Sequence, residues 1–163
     1  MKIDVALRET FDAEVELGAG LSRTGERHKA EQDLFHLTHT LRGWCDVHAQ
    51  RLVAEAQRFG VDLEVESASP GRDQGLVAQT HEKGSEFVGQ RAEPALLLLR
   101  DLRELHLAAA RASLAWTALA QGAQAISDSD LLSTVSACHP ETVRTMRWTV
   151  QRVKDVSPQA FAS

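Results

Sequence analysis

The sequence has no tyrosine, only four prolines and only two cysteines among its 163 residues. Because proline interrupts helices and strands, its scarcity leaves room for long unbroken segments. Alanine, leucine, glutamate, arginine and glutamine dominate what is present, and these are strong helix formers. The composition therefore predicts an all-α protein, and the length suits a single domain over residues 1–163.

Charge and hydropathy argue against two classes of partner. The net charge is -5 and no large basic cluster is present, whereas nucleic-acid binding requires positive charge to neutralise phosphates. The longest apolar run covers residues 95–99, and a membrane-spanning helix needs ~20 residues. The first residues lack the apolar segment of an export signal. We therefore expect a cytoplasmic protein in which Cys45 and Cys138 are reduced thiols.

Apolar residues recur at spacings of three and four, which predicts helices at 4–24, 27–59, 94–121 and 128–155. The residues expected to face inward are, helix by helix, Leu7, Phe11, Gly18 and Leu21; Leu34, Leu37, Leu41, Trp44, Leu52 and Phe59; Leu98, Leu102, Leu105, Ala109, Ala112, Trp116 and Leu119; and Leu132, Val135, Val143, Met146, Val150 and Val153. The pattern indicates a four-helix bundle, with the tryptophans as core or interface anchors.

Glycine and proline mark the expected helix ends. Gly25, Gly60 and Gly122 follow or interrupt the apolar patterns, and glycine favours the left-handed conformation that closes a helix. Ser127 is expected to cap the fourth helix. That helix should be kinked or split at Pro140 and should end before Pro158.

Residues 60–93 form an unusually long connection between the second and third helices. Turn-forming residues fill positions 67–71, and a short helix is predicted near 74–83. A long connection at this point allows the second and third helices to run parallel rather than antiparallel.

Three of the predicted inward stripes are interrupted by one polar residue each: Glu14, His48 and His139. A buried carboxylate is costly unless it is paired or binds a cation, and a neutral imidazole is a common metal ligand. Glu104 lies at the edge of the third stripe, one turn after Asp101. These positions predict a metal site inside the bundle.

Other interpretations of the same residues stay open. Either histidine by itself is better explained as a hydrogen-bonded core residue than as a ligand, and Glu14 could lie at the margin of its stripe and pair with an arginine. The coincidence of Glu14, His48 and His139 on three different helices is what favours metal binding.

This layout resembles the ferritin-like superfamily, in which two helical hairpins are joined by a long crossover between helices 2 and 3. In that family helices 1 and 3 each supply a glutamate, and helices 2 and 4 each supply a Glu-x-x-His pair. The resemblance would make Glu14, His48, Glu104 and His139 the ligands of a divalent ion such as Fe, Mn or Zn. The family's bridging glutamates are replaced here by Cys45 and Ser136. That set has too few oxygens for a di-iron pair, and Cys45 could add a thiolate that favours zinc.

Two functions follow as expectations. The first is a diverged ferritin-like bundle with a structural, regulatory or partner-binding role and no catalytic activity. Surplus apolar surface around residues 95–99 indicates a homodimer. The second is a metal-binding protein or metal-dependent oxidoreductase that uses the carboxylate and histidine set. Whether the chain is an enzyme is left open by the sequence.

Overall fold

The computed structural model describes residues 2–64 and 93–162. Four helices account for nearly all of them: α1 (Ile3–Arg27), α2 (Gln32–Arg58), α3 (Pro94–Ala125) and α4 (Ser129–Ala162). No strand occurs in these two ranges. The prediction of an all-α four-helix bundle is confirmed. The short helix predicted near 74–83, and most of the connection 60–93, lie outside the described residues.

Helix α1 packs antiparallel against both α2 and α3. A Cβ atom built on Gly18 would lie 3.2 Å from Cβ of Cys45, and one built on Gly25 would lie 2.4 Å from Oγ1 of Thr38. Glycine at these two positions therefore allows α1 and α2 to approach closely. Between α1 and α3, Glu14 contacts Trp116 and Arg27 contacts Asp101. Residue numbers therefore rise along α1 as those of its partners fall along α3, so these two helices are also antiparallel.

Helix α4 packs antiparallel against α3 and α2. The contacts that show this are His106–Thr149 and Ser113–His139 for α3, and His48–Glu141 and Glu55–Thr134 for α2. All four neighbouring pairs are thus antiparallel. It follows that α2 and α3 run in the same direction across one diagonal of the bundle, and α1 and α4 across the other.

The inward stripe predicted for the third helix is confirmed at every position from Leu98 to Leu119, and Trp116 is the largest fully buried side chain. In α2, Leu34, Leu41 and Leu52 are buried as predicted, whereas Leu37 is exposed. The apolar interior continues along the full length of the bundle in three successive clusters.

The inward stripe predicted for the fourth helix is correct at Val135 but wrong by one residue at most other positions. The buried positions of α4 are Leu131, Val135, Cys138, Thr142, Thr145, Thr149 and Ala160. Threonine can be buried here because its hydroxyl finds a partner: Thr145 and Thr149 donate to backbone carbonyls within their own helix. Because apolar residues were used to trace the stripe, the buried threonines were not included in it.

Several predicted helix ends are also wrong. Helix α1 continues past Gly25 to Arg27, and α3 continues past Gly122 to Ala125. Both glycines lie against another helix. Gly25 lies against Thr38 of α2, and a Cβ atom on Gly122 would be 2.9 Å from Cδ1 of Ile3 on α1. Close packing, rather than helix termination, accounts for glycine at these positions.

Helix α4 begins at Ser129 and continues without a break through Pro140 and Pro158. Its cap is Asp128 rather than Ser127, since Oδ1 of Asp128 accepts from the backbone N–H of Leu131 at 2.8 Å. Both prolines are exposed. The carbonyls that lose a partner therefore belong to the exposed residues 136 and 154, where water replaces the missing hydrogen bond.

Candidate functional site

A buried carboxylate lies at the middle of the bundle. Glu14 on α1 is 0% exposed. Its Oε1 atom accepts a hydrogen bond from Nε1 of Trp116 at 2.6 Å and another from Oγ1 of Thr142 at 2.6 Å. Charge-assisted hydrogen bonds of this kind offset part of the cost of removing a carboxylate from water.

His48 on α2 lies between two carboxylates and is 1% exposed. Its Nδ1 atom is 3.1 Å from Oε2 of Glu14, and its Nε2 atom is 2.7 Å from Oε2 of Glu141. The imidazole also meets the indole of Trp116 edge to face, with 5.8 Å between ring centroids and 87° between planes. The ring is therefore fixed on three sides.

These contacts form one connected set, here called the Glu14 network: Glu14, His48, Trp116, Glu141 and Thr142. Its members come from all four helices. A single carboxylate thus contacts side chains from the three other helices, and displacement of any one helix would leave a buried polar group without its partner. Such a group costs about 1–3 kcal/mol, and more if charged.

The contact between Glu14 and His48 is an ion pair without a well-directed hydrogen bond. Within the described ranges, Oε2 of Glu14 and Nδ1 of His48 have no hydrogen-bond partner of good geometry. Coulombic attraction at 3.1 Å does not require that alignment. The pair is therefore held by charge and by the packing around it.

The pKa values of Glu14 and His48 shift in opposite directions. Burial by itself raises the pKa of Glu14, but contact with the His48 imidazolium and the hydrogen bonds from Thr142 and Trp116 outweigh it and lower the pKa. Burial by itself lowers the pKa of His48, but the carboxylates of Glu14 and Glu141 outweigh it and raise the pKa. Both shifts favour the charged forms, an imidazolium between two carboxylates.

Cys45 lies one turn before His48 on α2 and is buried. Burial and the negative charge of Glu14 raise the pKa of its thiol far above the ordinary value. The thiol therefore stays protonated at neutral pH and does not supply a thiolate in the metal-free protein.

The structure separates the predicted site residues into three groups. Glu14 and His48 are in contact. His139 is half-buried, and its Nε2 atom lies 2.9 Å from Oγ of Ser113 on α3. Burial lowers the pKa of His139 although the charge of Glu14 opposes this. Glu104 is outside the core, with a side chain that is 61% exposed and 3.9 Å from Arg103.

The donor set that the ferritin-like resemblance implies is therefore not assembled around one point. In the part of the chain that the structure describes, no group of three or more histidine, cysteine, aspartate or glutamate side chains is arranged to hold a metal ion. The residues present do not fit a di-metal carboxylate centre, because Glu104 faces solvent and residues 45 and 136 carry no carboxylate.

Three members of the Glu14 network were not found from the sequence as site residues. Glu141 and Thr142 were not part of the stripe that apolar periodicity traced on α4, and Trp116 was interpreted as a packing anchor only. One signal was present: indole N–H groups usually find an acceptor when buried. A buried tryptophan on α3 therefore required a partner such as Glu14.

A second buried carboxylate, Asp101, lies near the end of α1. Asp101 on α3 accepts from Arg27 at 2.7 Å and lies 2.7 Å from Nε2 of His28. These contacts hold the end of α1 against α3. Of the two acidic residues considered on the third helix, Asp101 is therefore the buried one and Glu104 the exposed one. The partners of Asp101 are the last residue of α1, Arg27, and the next residue, His28.

The pKa shifts predict how stability depends on pH. The lowered pKa of Glu14 gives stability that is present above its ordinary value of 4.5 and lost as pH falls. The raised pKa of His48 gives stability that is fully present below 6.5 and lost as pH rises toward the folded-state pKa. The melting temperature of the wild type should therefore fall above pH 6.5 relative to that of His48→Gln, measured side by side by circular dichroism. A constant difference between the two across that range would contradict the charged state of His48.

The fold and the Glu14 network together define the class of protein: an all-α four-helix bundle with a buried carboxylate and imidazole at its centre. Comparison of the chain with protein families, with curated proteins and with solved structures finds no match. None of the four helices is long and apolar enough to cross a membrane over the residues that are described.

Proposed function

We propose that this chain is a non-catalytic, diverged ferritin-like bundle with a structural or regulatory role that it carries out by binding a protein partner, and that it forms a homodimer. Its Glu14 network then serves to hold the four helices together rather than to act on a substrate. In this proposal the buried Glu14 and His48 stabilise the bundle.

The observation that carries this proposal is the burial of Glu14 and His48. The side chains of Glu14 and His48 have almost no exposed surface, and their polar atoms contact groups from the other helices. A substrate could reach them only if the bundle opened. Catalytic carboxylates and histidines instead line a cleft that admits a ligand.

The helix directions support the ferritin-like part of the proposal. Antiparallel packing of every neighbouring pair, with α2 and α3 parallel, is the arrangement that a long connection between these two helices permits. In the ferritin-like superfamily, the helices of the two hairpins run in the same relative directions as these four helices. Loss of the bridging carboxylates at residues 45 and 136 agrees with a member that no longer carries a di-metal centre.

Metal content and oxidase activity test the proposal directly. Protein purified without chelator should carry far less than one metal ion per chain, and Fe, Mn or Zn should leave its melting temperature unchanged. It should not accelerate the oxidation of ferrous ion by oxygen. Near-stoichiometric metal, lost in both Glu14→Gln and His48→Ala but retained in Glu104→Gln, would overturn the non-catalytic interpretation.

A mononuclear metal site is the second candidate function. The observation that favours it is the pair of buried atoms, Oε2 of Glu14 and Nδ1 of His48, which lie 3.1 Å apart without a directed hydrogen bond. Two ligands of one divalent ion also lie about this far apart. A bound ion would displace the proton from Nδ1, so zinc binding to the chain should release protons and should weaken as pH falls. Proton release that persists in His48→Ala would exclude this pair as the site.

A further inference from the structure

A groove between α3 and α4 opens on the outside of the bundle and encloses about 290 Å³. Two apolar side chains lie in it: Val150 is 42% exposed, and Met146 is partly buried against the core. We call it the α3–α4 groove. The residues that line it are His106 from α3 and Met146, Arg147, Val150, Gln151 and Lys154 from α4. The groove therefore combines an apolar surface with polar and charged groups.

The permanently charged side chains that line the groove are cationic. Arg147 and Lys154 are exposed, and over the described residues their side chains form no ion pair. No carboxylate lines the groove in the same part of the chain. The nearest one in sequence, Asp155, accepts a hydrogen bond from Gln151 at 3.0 Å. In a chain of net charge -5, the groove is thus a local positive patch.

A third cation lies beside the groove on α3. Arg103 precedes His106 by three residues, which places it ~60° from His106 around the helix. Its side chain is 71% exposed, and its contact with Glu104 is 3.9 Å long. Glu104 precedes His106 by two residues and is therefore ~160° away from it. Cations thus lie on both sides of the groove, while the neighbouring carboxylate of α3 faces another direction.

Thr149 fixes the imidazole of His106 at the groove. The hydroxyl of Thr149 donates its one hydrogen to the carbonyl of Met146 at 2.6 Å, so its oxygen accepts from Nδ1 of His106 at 2.9 Å. The α3 side of the groove is therefore ordered before any ligand arrives, which lowers the entropy cost of binding.

The exposed residues of α4 at the groove follow a helical repeat. Arg147, Val150 and Lys154 are separated by three and four residues, so they lie along one side of the helix. The two cations are ~10 Å apart along the helix axis. A second helix with two carboxylates seven positions apart and an apolar residue between them has the same spacing.

The form of the groove favours a polypeptide over a small molecule or a nucleic acid. Pockets for small ligands have volumes of about 300–1,000 Å³ and cover most of the ligand, whereas this groove is smaller and its rim is exposed. Nucleic-acid binding uses a broad basic surface, whereas the cations here flank one apolar patch on a chain of net charge -5.

We propose that the α3–α4 groove binds an acidic amphipathic helix of a partner protein. The inference rests on the proposed partner-binding role and states the chemistry of the partner. Carboxylates of that helix pair with Arg147 and Lys154, and an apolar side chain between them packs on Val150 and Met146. Complementary charge orients the contact, and the apolar contact removes the exposed surface of Val150 from water.

A titration of the full chain, labelled with ¹⁵N, tests the charges with a designed peptide as the probe. The peptide is an alanine-rich helix with two glutamates seven positions apart and a leucine three positions after the first glutamate. Amide resonances of residues 146–154 should shift and saturate below ~1 mM peptide. Arg147→Glu should weaken binding at least ~10-fold, because it places two like charges opposite each other.

Substitutions on the other helices are the matched controls. Arg23 is exposed on α1, the helix diagonal to α4, so Arg23→Glu makes the same change of charge away from the groove and should leave the affinity unchanged. Val150→Ser should weaken binding ~3-fold by removing the apolar contact. Val47→Ser should not, although Val47 on α2 is 43% exposed. Circular dichroism of each variant reports whether the bundle is folded.

An exchange of charge tests the ion pairs without changing the apolar contact. The double variant Arg147→Glu with Lys154→Glu should lose the acidic peptide and should bind a peptide in which lysine replaces both glutamates. The wild type should not bind the lysine peptide. Both proteins keep Val150 and Met146, so the reversed preference reports the charges alone.

Two further titrations test other occupants of the groove. A short oligothymidylate should leave the resonances of residues 146–154 unchanged, and binding at least as tight as that of the acidic peptide would assign the groove to phosphates instead. Dilution of the wild type without peptide should also leave them unchanged. Concentration-dependent shifts confined to these residues would assign the groove to a second copy of the chain.

Each result decides the proposal. Absence of peptide-induced shifts at residues 146–154, or an unchanged affinity in Arg147→Glu, would overturn it. That failure leaves the proposed function standing if the protein is free of metal and does not oxidise ferrous ion. Metal-loaded or oxidase-active protein would overturn the proposed function whether or not the peptide binds.

Discussion

Replacing Glu14 by glutamine is expected to lower the free energy of unfolding by about 3 kcal/mol near pH 6. The substitution preserves shape and keeps an acceptor for Trp116 and Thr142. It removes the negative charge that faces His48 at 3.1 Å, so the imidazolium retains only Glu141 as a partner. Urea unfolding followed by circular dichroism measures the effect.

The matched control for this prediction is Glu16→Gln on the same helix. Glu16 is exposed and pairs with Arg111 at the surface, so its replacement should change stability by no more than about 0.5 kcal/mol. A double-mutant cycle between Glu14→Gln and His48→Gln should give a coupling free energy of at least ~1.5 kcal/mol. Additive effects would mean that the two groups do not interact.

Trp116→Phe is expected to cost about 3 kcal/mol, from two sources of comparable size. It deletes the N–H donor to a buried carboxylate, which is worth about 1.5–3 kcal/mol. It also leaves unfilled space where the largest fully buried side chain was. Loss of the donor should raise the pKa of Glu14, so acid unfolding should begin at a higher pH than in the wild type.

Trp148→Phe is the matched control for the effect of volume. Trp148 is only partly buried, against the clusters near Leu105 and Leu102. Its replacement should cost less and should leave the acid-unfolding midpoint unchanged. If the midpoints of Trp116→Phe and the wild type coincide, the indole does not stabilise the Glu14 carboxylate.

The four helices and the inward face of α3 could be predicted from the sequence because the apolar residues there repeat without exception from Leu98 to Leu119. Glu14 and His48 could be found for the same reason: each interrupts a stripe that is otherwise apolar. A polar residue on such a stripe is a strong signal because burying it requires a partner.

The partner of His48 on α4 could not be predicted. Periodicity detects apolar side chains, and the inner face of α4 carries Thr142, Thr145 and Thr149. The apolar residues of α4 lie about one position away, so the traced stripe was displaced by ~100°. Glu141 and Thr142 were therefore left out of the predicted site, while half-buried His139 was assigned to the centre.

The helix ends were misjudged where packing between helices overrides local preference. Glycine is typical of a helix end, yet Gly25 and Gly122 each lie where another helix leaves no space for a Cβ atom. A single sequence does not distinguish a glycine required by a turn from one required by close approach. Whether a glycine serves a turn or a close approach between helices depends on the residues that lie near it in the fold.

The buried charges also bear on why the bundle has one arrangement. Apolar stripes by themselves tolerate rotation or sliding of one helix against another. A carboxylate that must reach Trp116, Thr142 and His48 at once allows only one alignment of the four helices. Polar groups in a core can specify register in this way even where they add little stability.

The protonation state of His48 tests the central claim most directly. NMR of the protein labelled with ¹⁵N at histidine reads both ring nitrogens and locates the proton on each. The His48 ring should lose a proton only at a pH above 6.5, the ordinary value of an imidazole, because Glu14 and Glu141 face its two nitrogens. Loss of that proton at or below pH 6.5 would contradict the ion-paired network.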